Sequence, residues 1–368
     1  MRILIGTTEI CGWISLLADS LKEKGHKVIT ISDKNSFFQD RKYDISKSNI
    51  VYDFIAFRIK NNIFRKAGLF FYIKLHILYK NLFHKDLDLK LTPFIKRYFY
   101  KHTDLFIHIW SGLEQDDSDL PEFKKNGAKI MSFFVGSDVR HYPTFAKEFN
   151  IELPPNPDYT EQKLMPLIHK IRMHEKYSDL IFSAPDQSSL FLRPYYRLQV
   201  PLDLKKYKYN NTGNKIPLII HIPSNPLLKG SVIIFSAIET LAAEGVDFKF
   251  LTFTNIPNTE VLKHLSEADI LIDELYAHGP GVLGMEAMAS GCVVATKYWE
   301  QSPACFRPPV LSVNPENIKE KLREILTDDD LRNKLIVEGR KYVEKFNQVN
   351  TVADSFLKKM NSTFEMPD

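Results

Sequence analysis

Between residues 269 and 296 the chain holds Gly279, Gly281 and Gly284, set after the apolar run Ile270-Leu271-Ile272 and before Glu286-Ala287-Met288-Ala289-Ser290-Gly291. The pattern predicts a strand ending near Asp273, a glycine-containing loop, and a helix. Glycines at such a junction let backbone come close to a ligand, and the helix start offers free N–H groups to an anion. Glu286, one turn into that helix, is placed to accept from hydroxyls. Amides for a phosphate beside a carboxylate for a sugar or ribose suit a nucleotide-sugar pocket. The same residues also fit a packing turn with an acid favoured by the helix dipole. A second element, Pro223-Ser224-Asn225-Pro226-Leu227-Leu228-Lys229-Gly230, follows another predicted strand and precedes another helix. Lys229 there can pair with a diphosphate and offset the charge gathering on it as it leaves; its plainer reading is a solvated lysine.

These elements need a sheet to hold them. Short apolar runs at 2–6, 28–31, 105–109, 129–135 and 180–183 alternate with helical spacings, and the rhythm restarts with runs at 217–222, 248–254, 270–273 and 292–296. Strands alternating with helices imply parallel sheets covered on both faces. The stretch 193–214, with Pro194, Pro201 and Asn210-Asn211-Thr212-Gly213-Asn214, lacks periodicity and reads as a connection. The expectation is an α/β chain of two Rossmann-like parallel-sheet domains, 1–195 and 205–345, followed by a helical tail. With 44% hydrophobic and 26% charged residues the chain is neither disordered, collagenous nor coiled coil. Three scattered cysteines (Cys11, Cys292, Cys305) make no disulfide framework or zinc site. The opening Arg2-Ile3-Leu4-Ile5, then Thr7-Thr8-Glu9, lacks a signal-peptide layout, and no apolar run reaches about 18 residues. A reduced, cytoplasmic chain is the expectation.

Taken together in this order, the two elements resemble the C-terminal domain of GT-B glycosyltransferases, specifically glycosyltransferase family 4 of the bacterial surface-polysaccharide type. Lys229-Gly230 and Glu286-Ala287-Met288-Ala289-Ser290-Gly291 match that family's Lys-Gly element and the second half of its paired-Glu motif. The first acid of that pair falls on His278, a departure that alters how a sugar hydroxyl would be read. The N-terminal half adds Val135-Gly136-Ser137-Asp138-Val139-Arg140, similar to a family loop in which a histidine precedes the glycine; Val135 stands in its place. The resemblance implies two domains facing a cleft, with the C-terminal helix 349–361 crossing back to the first. It implies Lys229, Glu286 and His278 as catalytic residues and Ser224, Asn225, Gly230, Gly281 and Gly284 as donor-binding. Gly12, Asp138 and Arg140 fall on the acceptor side, where a helix start explains Gly12 equally well and a capped turn explains the Asp and Arg.

The activity so implied is retaining transfer of a sugar from a nucleoside-diphosphate-sugar to a saccharide or lipid-linked glycan, in surface glycan assembly. The departing diphosphate itself takes the acceptor proton, so no cofactor and no metal is expected. Asp116-Asp117-Ser118-Asp119 is read as a solvated acidic turn rather than a metal-binding triplet, and Asp328-Asp329-Asp330 as the acidic start of a helix. Residues 54–101 hold eleven Lys or Arg against Asp86 and Asp88, interleaved with aromatics, while the rest of the chain is net acidic. That segment suits an anionic membrane surface, or else a pair of helices covering the first sheet. With no recognised nucleic-acid module, no nucleic acid is expected as a partner. The competing readings are a nucleotide-sugar epimerase of the same architecture and a catalytically degenerate homologue that binds nucleotide or glycan.

Overall fold

The computed structural model describes residues 1–32, 43–47, 50–60, 86–183, 190–210, 214–298 and 307–362. Contacts divide the chain after Leu198 into two units. The first contains β1 (Arg2–Thr7), α1 (Trp13–Glu23), β2 (Lys27–Ser32), β3 (Ile45–Ser46), α2 (Ile50–Lys60), α3 (Asp86–His102), β4 (Leu105–Ile109), α4 (Leu120–Lys125), β5 (Lys129–Phe134), α5 (Tyr142–Phe149), α6 (Leu164–Tyr177), β6 (Leu180–Ser183) and β7 (Tyr196–Arg197). Its strands lie in the order β3-β2-β1-β4-β5-β6-β7, and every pairing is parallel. Apolar side chains cover it: Leu4, Ile31, Phe106 and Ile130 pack with Phe99 and Phe123.

The second unit contains β8 (Leu218–His221), α7 (Pro226–Lys229), α8 (Ser231–Ala243), β9 (Lys249–Thr252), α9 (Asn258–Glu267), β10 (Ile270–Ile272), α10 (Val282–Ser290), β11 (Val293–Thr296), β12 (Leu311–Ser312), α11 (Ile318–Thr327), α12 (Asp329–Phe346) and α13 (Val349–Ser362). Its order is β12-β11-β10-β8-β9, again parallel throughout. Period-two alternation splits each central strand between two cores. Ile219, Ile270, Ile272 and Val293 face α8 and α11, while Ile220, Leu271 and Val294 face α10 and Val343. Both orders reverse direction beside the first strand, at β1/β4 and at β8/β10, where parallel sheets leave a crevice beyond the strand ends. The two Rossmann-like sheets expected from the sequence are present. The short edge strands β3, β7 and β12 carry two residues each, too few for a pattern to show.

Asp328 caps α12 as expected, accepting from the Leu331 N–H at 2.8 Å. The basic aromatic segment is described only in part, because residues 61–85 lie outside the described residues. In the remainder, Phe54 meets Tyr98 and Phe99 edge to face at 5.0 and 5.6 Å, and Ile95 and Phe99 are buried against the first sheet. Those aromatics cover the sheet. Among the described residues no helix is long and apolar enough to cross a membrane.

Gly291 ends α10 with φ 93°, and a Cβ there would overlap the Asn210 carbonyl oxygen, which packs over the helix end. Gly245 has φ 79° with nothing near its Cβ position. Gly245→Ala is therefore expected to cost about 1–2 kcal/mol from the left-handed backbone alone. Gly291→Ala should cost several kcal/mol, because backbone must also move. Denaturant midpoints of the two variants check this, and equal midpoints would contradict it.

Candidate functional site

The loops that leave β8 and β10 meet at the carboxyl edge of the second sheet. After β8, Asn225 caps the short helix α7 by accepting from the Leu228 N–H at 3.2 Å, and Gly230, at φ 76°, turns the chain into α8. A Cβ on Gly230 would press on Leu275 at 3.1 Å, so this glycine lets the two loops approach. His221, fully buried at the end of β8, ties both elements together through Ile272 O (2.7 Å) and Ser231 Oγ (2.8 Å). Lys229 is consequently aimed at the end of β10, where its ammonium forms an ion pair with Asp273. The lysine side chain is 12% exposed and the aspartate side chain 0%. The solvated-lysine reading is therefore wrong. Burial alone would lower the Lys229 ammonium, but Asp273 and then Glu274 outweigh it and hold the group above its ordinary value.

Asp273 and Glu274, acids at the wrong spacing for the family's motif, thus face the lysine. Gly281 caps α10, and Glu274 Oε1 lies 3.6 Å from the position of a Cβ on it. Gly284 has a packing reason for its identity, since a Cβ would stand 2.7 Å from Pro280 and 3.1 Å from Asp273 Oδ2. Glu286 sits in the same helix, buried, with Oε1 accepting from the Tyr207 hydroxyl at 3.2 Å. Burial pushes its carboxyl up to about 7, against the hydrogen bonds from Tyr207 and Asn258. Ser224 is exposed before α7, and His278 lies partly buried in the loop between β10 and α10. Lys229, Asp273, Glu274 and the two glycines form one cluster. Tyr207, before the second sheet begins, gave no sign in the sequence of its contact with Glu286.

In the first unit, Gly12 opens α1 at φ 83°. Asp138 closes its own loop, accepting from the N–H groups of Val135 (3.0 Å) and Gly136 (2.9 Å), and burial pushes its carboxyl up to about 6 against Lys170. Arg140 stacks on Phe145 at 4.6 Å. These are the contacts of a capped turn.

The solvated acidic turn is a second correction. Asp117 and Asp119 are buried, and only Asp116 and Ser118 face outward. Asp119 takes the Leu113 N–H at 2.6 Å, and burial pushes it up to about 6. Asp117 lies between two imidazoles, His108 Nε2 at 2.8 Å from Oδ1 and His174 Nε2 at 3.1 Å from Oδ2. Burial alone would raise the Asp117 carboxyl; the histidines outweigh it and hold it well below the usual range. Nothing in the sequence brings His108, Asp117 and His174 together, because they belong to a strand, a loop and a helix.

Residues 243–358 match a family described as "Glycosyl transferase-like". No curated protein matches the chain by sequence. Among solved structures, a sucrose-phosphate synthase from Thermosynechococcus elongatus is similar over 99% of this chain and 98% of its own, at TM-score 0.60 and 13% identity. A glycosyltransferase from Rickettsia africae is similar over 100% and 99%, at TM-score 0.56 and 13% identity. An alpha-glucosyltransferase in complex with UDP-glucose and DNA containing an abasic site is similar over 99% of both chains, at TM-score 0.56 and 12% identity. The fold is that of GT-B glycosyltransferases, and the matched segment carries a glycosyltransferase-like sequence. The alpha-glucosyltransferase also corrects an expectation: a protein of this fold is solved with DNA, so the lack of a recognised nucleic-acid module does not exclude a nucleic-acid partner.

The raised Glu286 carboxyl fixes a sign. Its folded value, about 7, exceeds the ordinary 4.5, so the folded chain binds the extra proton between them. That contribution is fully present below about pH 4.5 and is lost as pH rises through about 7. Glu286→Gln should remove this loss and be more stable than the wild type at pH 8. Chemical denaturation across that range checks it, and parallel curves would contradict it.

Proposed function

We propose that the chain is a retaining glycosyltransferase that moves a sugar from a nucleoside-diphosphate-sugar to a hydroxyl of a saccharide acceptor. One observation supports this most: a largely buried, charged lysine at the carboxyl edge of a parallel sheet, beside the start of a helix. Leaving-group departure places negative charge on a diphosphate, and a fixed ammonium with helix-end N–H groups offsets that charge without reorganising. Lys229 then exchanges Asp273 for the diphosphate, and Asp273 keeps the side chain oriented before the donor arrives. Glu286 accepts from the ribose hydroxyls, and His278 lies in the loop that would meet the transferred sugar. The acceptor oxygen attacks the anomeric carbon on the face the diphosphate leaves, and its proton passes to the departing phosphate oxygen. No strong protein base is required, and the barrier falls mainly by orientation and electrostatics.

The test is incubation of the full chain with UDP- and GDP-sugars and oligosaccharide or DNA acceptors, read by mass spectrometry with product anomers read by NMR. The expected product keeps the donor's anomeric configuration, and Lys229→Ala lowers kcat roughly 10²–10³-fold. Inverted product, or full activity in Lys229→Ala, would contradict the mechanism. Nucleotide binding without turnover would favour the degenerate homologue.

A further inference from the structure

The cluster of His108, Asp117 and His174 belongs to the first unit and takes no part in the proposed transfer. We propose that these three residues bind one divalent first-row metal ion of the zinc class, at a site that ties β4, α6 and the loop between β4 and α4 together. The donor set is two imidazoles and a carboxylate, ligands that suit zinc and its neighbours rather than calcium or magnesium. One ligand atom from each residue lies within 4.8 Å of the others, and all three residues are buried. The carboxylate turns one oxygen to each imidazole, so that the two Nε2 atoms flank a single carboxylate. Tetrahedral neighbours held about 2.1 Å from one ion stand about 3.4 Å apart, so the observed 2.8 and 3.1 Å need only a few tenths of an ångström of opening.

The surroundings give His174 and Asp117 the second row of contacts that metal-bound imidazoles and carboxylates need, while His108 Nδ1 is buried with no hydrogen-bond partner among the described residues. His174 Nδ1 lies 2.7 Å from Ser132 Oγ on β5, which lies 2.6 Å from Ser178 Oγ. With the ion on Nε2, Nδ1–H donates to Ser132, which donates onward to Ser178. Asp117 Oδ1 also accepts from the Gly112 N–H at 3.1 Å. Asp117 itself holds φ 58°, a left-handed conformation that costs free energy in a residue other than glycine. That backbone turns the carboxylate inward, away from the solvent its neighbours Asp116 and Ser118 occupy. An ion there neutralises a buried carboxylate and uses both imidazole lone pairs.

The experiment unfolds the full chain with chelator and refolds it with zinc chloride or with EDTA, followed by gel filtration and elemental analysis. One zinc per chain and a higher melting temperature than the EDTA-refolded protein are expected, and cobalt in place of zinc should show visible d–d bands. Ser132→Ala should weaken zinc binding roughly 10–100-fold against a competing chelator, and Asp117→Asn should abolish it. Zinc-refolded wild type that holds no ion above the buffer blank and melts like the EDTA sample would overturn the site, whether or not the variants fold. Unchanged zinc affinity in both variants would overturn it as well.

Discussion

A parallel strand can be followed only by a crossover, so each unit sends every post-strand loop to the same edge of its sheet. That constraint places the chemistry. Lys229 follows β8, Asp273 and the glycines follow β10, Asp117 follows β4 and Asp138 follows β5. Residues far apart in sequence are thereby gathered without a long loop having to fold on its own. The central strands of both sheets are buried on both faces, which gives these loops a close-packed base.

Within that frame the Lys229–Asp273 pair is the costly feature. Two buried charges lose most of their hydration, and their attraction offsets that loss only with good geometry. Evolution of a stable fold alone would favour two apolar side chains in that place. The pair makes sense if one member is to be lent to an anion, because an ammonium already stripped of water gives the full benefit of its charge. Glu286 follows the same logic from the other side: burial near Asp273 lifts its carboxyl to about 7, where a change of environment on donor binding can shift its proton.

Much of this was legible in the residues and some was not. Alternating apolar runs and helical spacing disclosed both sheets, and the helix predicted around Glu286 is present. The partner of Lys229 was not legible: the sequence marks Asp273 only as the end of a strand, and the pairing of β10 with β8 decides what it touches. Asp117 was taken for a solvated residue because acidic turns are usually wet. Its burial depends on His108 inside an otherwise apolar strand, and on His174 more than fifty residues later. Edge strands of two residues and the reach of Tyr207 to Glu286 leave no periodic trace at all.

The central claim is that Lys229 waits for a diphosphate, and calorimetric titration of UDP and GDP against their nucleosides tests it most directly. The account predicts that the diphosphate is bound at least about tenfold more tightly than its nucleoside, about 1.4 kcal/mol. It also predicts that Lys229→Met erases this advantage while nucleoside affinity is retained. An equal advantage in wild type and variant would show that the diphosphate is held elsewhere.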